Sequence, residues 1–240
     1  MKRMIFGTLL LLGAVMASPL FAQSGADEDG FVSLFNGKDL TGWTGNPAIW
    51  SVQDGALTGI TAADGPAKLT YNQFLICDQD VPGNFVLKFD YWITNPGNSG
   101  IQYRSWVNQE EGKPFSVGGY QADFDGGAIY SGIVFGEGFR GILAQRGTTA
   151  KIDDDHSPVE TARFAADEDL KAAVAIEGWN SYEVIADGFL FIHKINGRVM
   201  SVLADNDKES RRDDGVLAIQ VHVGPPMKVQ VKNIRIKKIQ

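Results

Sequence analysis

The chain has 240 residues, a formal net charge of −7, 44% hydrophobic residues and one cysteine. That acidity argues against nucleic acid or an anionic membrane as the main partner, while neutral sugars stay compatible with it. A single thiol, Cys77, excludes an intrachain disulfide; in Phe74-Leu-Ile-Cys77 it reads as a small buried hydrophobe.

Residues 1–22 read as an export signal. Lys2 and Arg3 form a basic start, and Met4 to Ala17 is an uncharged apolar run too short for a stable membrane span. Ala22 before Gln23 is the expected cleavage point, with Ala17 as the alternative, and no cysteine follows to take a lipid anchor. The expected mature chain, 23–240, carries 20 basic and 29 acidic residues, is periplasmic or secreted, and has no membrane partner after cleavage. Its length suits one all-β domain able to bury a core without staples.

Further along, most segments read as short strands with Gly and Asn turns. Trp43 follows Thr41-Gly42 and is expected to seal one end of the fold. Residues 84–94 alternate, with Phe85, Leu87, Phe89, Tyr91 and Ile93 on one face and Val86, Lys88, Asp90 and Trp92 on the other. In Asn98-Ser-Gly-Ile-Gln-Tyr-Arg104, Ile101 and Tyr103 share one face, and Gln102 and Arg104 the other. Gly119-Tyr-Gln-Ala-Asp-Phe124 repeats the pattern, with Gln121 and Asp123 opposite Tyr120, Ala122 and Phe124. Residues 148–177 differ: Asp153-Asp-Asp155, a proline and an alanine-rich piece predict a short helical or irregular insertion, with Asp167 placed to cap a helix. The acidic run there is weighed as a calcium site and as an ordinary solvated stretch. Asp187-Gly188 predicts a hairpin between 179–186 and 189–195, and Asn196-Gly197 a turn into 198–203. Asn180 is expected to be structural. In 217–223, Leu217, Ile219, Val221 and Val223 form an apolar row opposite Gln220 and His222. A last strand spans 228–239, with a bulge near Asn233 where the period breaks. Many short antiparallel strands with few helices predict an all-β sandwich.

If the three middle strands share a sheet, one face carries Gln102, Arg104, Gln121, Asp123, Gln220 and His222. A solvated sheet face is ordinarily rich in Lys, Glu and Thr. These residue types instead grip sugar hydroxyls and move protons.

The chain also resembles a known family. Gly30-Phe-Val-Ser-Leu-Phe-Asn-Gly-Lys-Asp-Leu-Thr-Gly-Trp43 looks like its opening motif and Trp50-Ser-Val-Gln-Asp-Gly-Ala-Leu57 like its next. Asn98–Arg104, Gly119-Tyr-Gln121, Trp179-Asn180, Ile195-Asn-Gly197, Gln220-Val-His222 and Asn233-Ile-Arg-Ile236 complete the series. On these residues the chain resembles the 3-keto-disaccharide hydrolase domain family. The resemblance implies a concanavalin-A-like jelly-roll sandwich and an exported enzyme acting on 3-keto-glycosides or 3-keto-disaccharides. Two departures stand out. Gln121 occupies a position that is commonly Glu, which shifts attention to Asp123, and Val223 separates His222 from a glycine that commonly follows directly.

A ketone at C3 acidifies the proton on C2, so a base, an acid and a stabiliser of the developing oxyanion suffice for elimination, after which water adds back. His222 is the natural base, because imidazole is the side chain that ordinarily titrates near neutrality. Arg104, or a divalent metal, would face the oxyanion. Asp123 would orient His222 or serve as acid. Gln121, Gln220 and Gln102 would hold hydroxyls, and Trp106 and Trp92 a sugar face. Against these stand structural roles: a hydrogen bond inside the sandwich for His222, and an ion pair of Arg104 with Asp90 or Asp123. His193 and His156 are not expected in the site, and no histidine spacing suggests zinc. The Glu-x-Asp-x-x-Glu run of sandwich glycosidases is absent from the sequence. A non-catalytic, lectin-like sugar-binding module is the alternative, and a flat protein-interaction sandwich a third reading.

Overall fold

The computed structural model describes residues 30–240. The expected export signal, 1–22, lies outside the described residues. Seventeen strands, one α-helical turn and one 3-10 turn follow in order among the described residues. The first are β1 (Val32–Ser33), β2 (Trp43–Thr44), β3 (Trp50–Gln53), β4 (Ala56–Ile60), β5 (Gln73–Cys77) and β6 (Phe85–Ile93). The middle strands are β7 (Asn98–Val107), β8 (Val117–Asp125), β9 (Val134–Glu137), β10 (Gly141–Ala144), β11 (Thr148–Ile152) and β12 (Pro158–Arg163). After the helix α1 (Asp167–Lys171) come β13 (Asn180–Asp187), β14 (Leu190–Ile195), β15 (Arg198–Asp205), β16 (Val216–Val221) and β17 (Lys228–Lys238).

The strands form two sheets. One has ten strands, in the order β12-β11-β15-β14-β13-β6-β17-β4-β3 with β1 added beside β17; the other has seven, in the order β10-β9-β8-β7-β16-β5-β2. The pairings are antiparallel apart from β11 with β15, which run parallel. The apolar rows read from the sequence meet between the sheets. Tyr91 of β6 stacks on Phe124 of β8 at 4.1 Å between ring centroids, and Tyr103 of β7 lies 5.7 Å from Phe191 of β14. Interdigitated aromatic faces of this kind are the core of an aligned sandwich.

Local expectations hold at several points. Asn233 takes φ +53°, and the β6–β17 register shifts between Lys232 and Arg235, so the bulge is where the period breaks. Trp43 is buried and donates its indole N–H to the Leu34 carbonyl at 2.9 Å. Asn180 is buried and ties the loop before β13 through Ala175 and Gly178. Cys77 is buried, which pushes its thiol up to about 11.

The stretch 148–177 is a correction. It is not chiefly an insertion: β11 and β12 join the ten-stranded sheet, and only 167–171 is helical. All six residues of β12 are exposed, so no buried face imposes alternation on its sequence. Asp167 does not cap α1; Ala166 holds that position, and Asp167 pairs with the buried Arg146 at 2.9 Å. Asp153 is engaged by Lys151 and Asn206 rather than grouped for calcium.

Candidate functional site

The seven-stranded sheet turns its outer face to a cleft of about 440 Å³. Its floor comes from β7, β8 and β16. Gln102 pairs across the strands with Gln121, and Gly100 with Asp123. Glycine at 100 is required here: a Cβ would lie 2.5 Å from the Gln121 Cγ, so the missing side chain lets Gln121 lie across β7. Asn98, Gln121, Asp123, Glu137, Gln220 and His222 line the polar part of the cleft.

A continuous hydrogen-bonded row crosses this floor. Ser105 Oγ donates to Gln102 Oε1 at 2.8 Å, and Gln102 Nε2 donates to Gln121 Oε1 at 2.5 Å. Gln121 Nε2 donates to Asp123 Oδ1 at 2.7 Å and to Gln220 Oε1 at 3.4 Å. Gln220 Nε2 then donates to Glu137 Oε2 at 3.1 Å, and Asn72 Nδ2 to Glu137 Oε1 at 2.9 Å. Asn72 Oδ1 accepts the Val223 N–H at 2.9 Å, and the Val223 carbonyl meets His222 Nδ1 at 2.6 Å. A carbonyl oxygen only accepts, so Nδ1 carries a proton and the neutral ring keeps its lone pair on Nε2. Burial pushes the Asp123 carboxyl far above the usual carboxylate range. The Gln121 N–H opposes this, and the nearby Asp125 and Glu137 add to it. Asp123 therefore keeps its proton where an ordinary aspartate has lost it.

Four expected site residues, Gln121, Asp123, Gln220 and His222, share this cleft, and Gln102 supports it from the adjoining strand. Asp123 does not orient His222, because its hydrogen bond runs to Gln121 and that of His222 to Val223.

Arg104, Trp106 and Trp92 are not brought there. Arg104 takes φ +45° at a bulge where the β7–β8 register shifts, and this reverses its side chain relative to strand parity. It is 1% exposed, and its guanidinium donates to the carbonyls of Gly83, Gly188 and Arg212 and to Asn84 Oδ1. It also lies 5.0 Å from the Phe191 ring and pairs at 3.9 Å with Asp213, not with Asp90 or Asp123. Trp106, beyond the same bulge, packs edge-on to Phe139 and donates to Asn108. Trp92 belongs to β6 of the other sheet and donates to the Glu177 carbonyl at 2.7 Å.

The remaining histidines are placed elsewhere. His193 is buried between Tyr103, Tyr182 and the Ile133 carbonyl, and burial lowers it to about 3. His156 bonds Asp207 at 2.6 Å on the 148–177 side. Among the described residues, no three His, Cys, Asp or Glu side chains are grouped as metal ligands.

Glu137 and the apolar lining Tyr130, Ile133, Phe135 and Ile142 went unread in the sequence. The available signal was the outward pair Phe135 and Glu137 in Val134–Glu137, a strand of only four residues.

Residues 30–237 match the 3-keto-alpha-glucoside-1,2-lyase-like domain family, and the chain belongs to it. A 3-keto-disaccharide hydrolase of Bacteroides thetaiotaomicron is 31% identical over 86 residues, covering 34% of this chain and 29% of that relative's length. Among solved structures, a candidate glycosyl hydrolase of Parabacteroides distasonis superposes with a TM-score of 0.53 at 20% identity, covering 88% of this chain and 95% of that one. A galectin-like protein of unknown function from Bacillus subtilis reaches 0.55 at 12% identity, covering 83% and 90%. A carbohydrate-binding module from the same species reaches 0.50 at 13%, covering 84% and 98%. These likenesses establish the sandwich fold, and the family marks a glycosyl hydrolase-like, carbohydrate-active domain.

Proposed function

We propose that the protein cleaves glycosides oxidised at C3 by elimination and hydration. The observation that carries this reading is the buried Asp123 carboxyl, its pKa pushed up by that burial, in one cleft with the His222 imidazole, whose Nδ1 faces the Val223 carbonyl and whose Nε2 is left to accept a proton. His222 Nε2 takes the C2 proton, which the neighbouring ketone has acidified. The electron pair forms the enolate, with the Asn98 amide as a donor to the C3 oxygen. The C1–O bond then breaks, and Asp123 protonates the departing oxygen. Water adds across the resulting C1–C2 double bond. Gln121 and Gln220 position hydroxyls while holding Asp123 and Glu137 in place. Export to the periplasm or medium belongs to the same proposal and is checked by N-terminal sequencing of the protein recovered there.

The test incubates purified protein with 3-keto-trehalose, 3-keto-glucosides and their unoxidised counterparts, with and without chelator. Only the oxidised sugars are expected to be cleaved. Asp123→Asn and His222→Ala are each expected to lower kcat about 10²- to 10³-fold while circular dichroism stays unchanged. Because Asp123 acts in its protonated form, wild-type activity falls as pH rises through its elevated pKa, and Asp123→Asn loses that alkaline limb. Equal cleavage of unoxidised sugar rejects elimination. Tight sugar binding without turnover of any keto-sugar supports a carbohydrate-binding module instead. Chelator-sensitive activity would assign the oxyanion to a divalent metal.

A further inference from the structure

The cleft is split in two along β8. Gln121 pairs with Gln102 on one side and with Phe135 on the other, and Phe135 pairs with Ile142. One cross-strand row therefore runs from amide to amide to aromatic to aliphatic. The apolar half continues into the loop after β8, where Tyr130 is 44% exposed and Ile129 63%, beside Ile142 at 36%. Large apolar side chains left in water at a cleft mark a binding surface.

The loop is also fixed. Asp125 accepts the backbone N–H groups of Ile129, Tyr130 and Ser131 at 2.8 to 3.0 Å. Arg146 donates to the carbonyls of Ala128 and Ser131 at 3.0 and 2.9 Å. The rim holds its apolar groups in place before any ligand arrives, so little ordering cost is left to binding.

Asp123 stands at the border between the halves: it belongs to the amide strand, and its backbone bonds Ile133 and Gly132 of the apolar side. The acid that protonates the departing oxygen must sit where the sugar ends and the leaving group begins. We propose that the amide half holds the oxidised sugar ring and that the apolar half selects a hydrophobic alcohol or phenol as leaving group, in preference to a second sugar. The inference rests on the function proposed above. A second sugar ring would need donors and acceptors for its hydroxyls, and this half offers one side-chain hydroxyl, that of Tyr130. In the step itself, the C2 proton goes to His222, the electron pair it leaves becomes the C1–C2 double bond as the C1–O bond breaks, and the Asp123 proton goes to the aglycone oxygen; elimination and the later addition of water are redox-neutral and need no oxidant or reductant.

The experiment compares benzyl 3-keto-glucoside with a 3-keto-disaccharide of the same anomeric configuration, for both anomers. Benzyl alcohol is not an activated leaving group, so a preference for it reports binding. Wild type is expected to favour the benzyl substrate about tenfold or more in kcat/KM. Ile142→Asn and Tyr130→Ser, at exposed positions, are expected to bring that ratio down toward one. Equal or better use of the disaccharide overturns the inference while leaving the proposed reaction standing. If neither substrate is turned over, the proposed reaction fails. Calorimetric affinities of wild type for the two compounds then decide: tighter benzyl binding keeps the apolar site, and equal affinity overturns it.

Discussion

The outer faces of the two sheets follow the same alternation and carry opposite chemistry. On the ten-stranded sheet a groove of about 320 Å³ is lined by Lys88, Asp90, Glu183, Lys194 and Arg235. Its charges are solvated and paired: Glu183 meets Lys194 at 2.7 Å and Lys88 at 3.6 Å. On the seven-stranded sheet Gln102, Gln121 and Gln220 are at most 1% exposed and bond one another. Buried amides are fixed by hydrogen bonds that are costly to leave unmade, whereas exposed ions are held by screened attraction worth little. A groove is therefore not a site because it is polar. The amide face is the candidate because its amides are buried and held in one arrangement beside the Asp123 carboxyl, which burial pushes far above the usual carboxylate range.

Arg104 sharpens the contrast most, because it is a cation placed in neither setting. It is buried at one end of the sandwich, where three carbonyls and Asn84 converge on it. Arg104→Ala is expected to cost about 3 kcal/mol, since it strands acceptors that water cannot freely reach. A shift of the urea midpoint at unchanged slope would show this. Activity per folded molecule should stay near wild type. A large fall in kcat with unchanged stability would instead return Arg104 to the chemistry.

How far the sequence could be read follows from the same positions. Strand parity placed Gln102, Gln121, Asp123 and Gln220 on one face, because β8 and β16 keep their alternation from Tyr120 to Phe124 and from Leu217 to Val221. It failed at Arg104, where one residue with positive φ reverses the side chain. Gly215 lies against that bulge, where a Cβ would sit 2.5 Å from the Ser105 backbone nitrogen, and parity cannot see a contact 110 residues away. Glu137 and Phe135 were illegible because β9 spans only Val134–Glu137, too short for a period. β11 and β12 read as an insertion from sequence because the outer strand buries nothing. Trp92 sat on the correct strand, but nothing in the chain's order says which of two sheets that strand joins.

Gln121→Leu tests the amide face directly. It removes the donor to Asp123 and Gln220 and the acceptor for Gln102 while keeping the volume nearly constant. The expected loss is about 2 kcal/mol from buried groups left unpaired. Burial of Asp123 without its one opposing N–H should also move the alkaline limb of the activity profile to higher pH. An unchanged denaturation midpoint would mean that water has replaced the missing amide and that the row is not held dry.

The smallest effect is expected on the opposite sheet, at Lys194→Ala. The Lys194–Glu183 pair is short, yet its two side chains remain 30% and 25% exposed. Water already solvates both charges, so breaking the pair exchanges one partner for hydration, and Lys88 stays within 3.6 Å of Glu183 to compensate. Stability should change by less than about 0.5 kcal/mol, and the change should shrink further in added salt, as exposed pairs do. Turnover should be untouched, because an entire sheet and the aromatic layer of Tyr91, Phe124 and Tyr182 separate this groove from the cleft. A loss of activity with stability intact would mean that the charged groove takes part in binding substrate, and the distinction between the two faces would then fail.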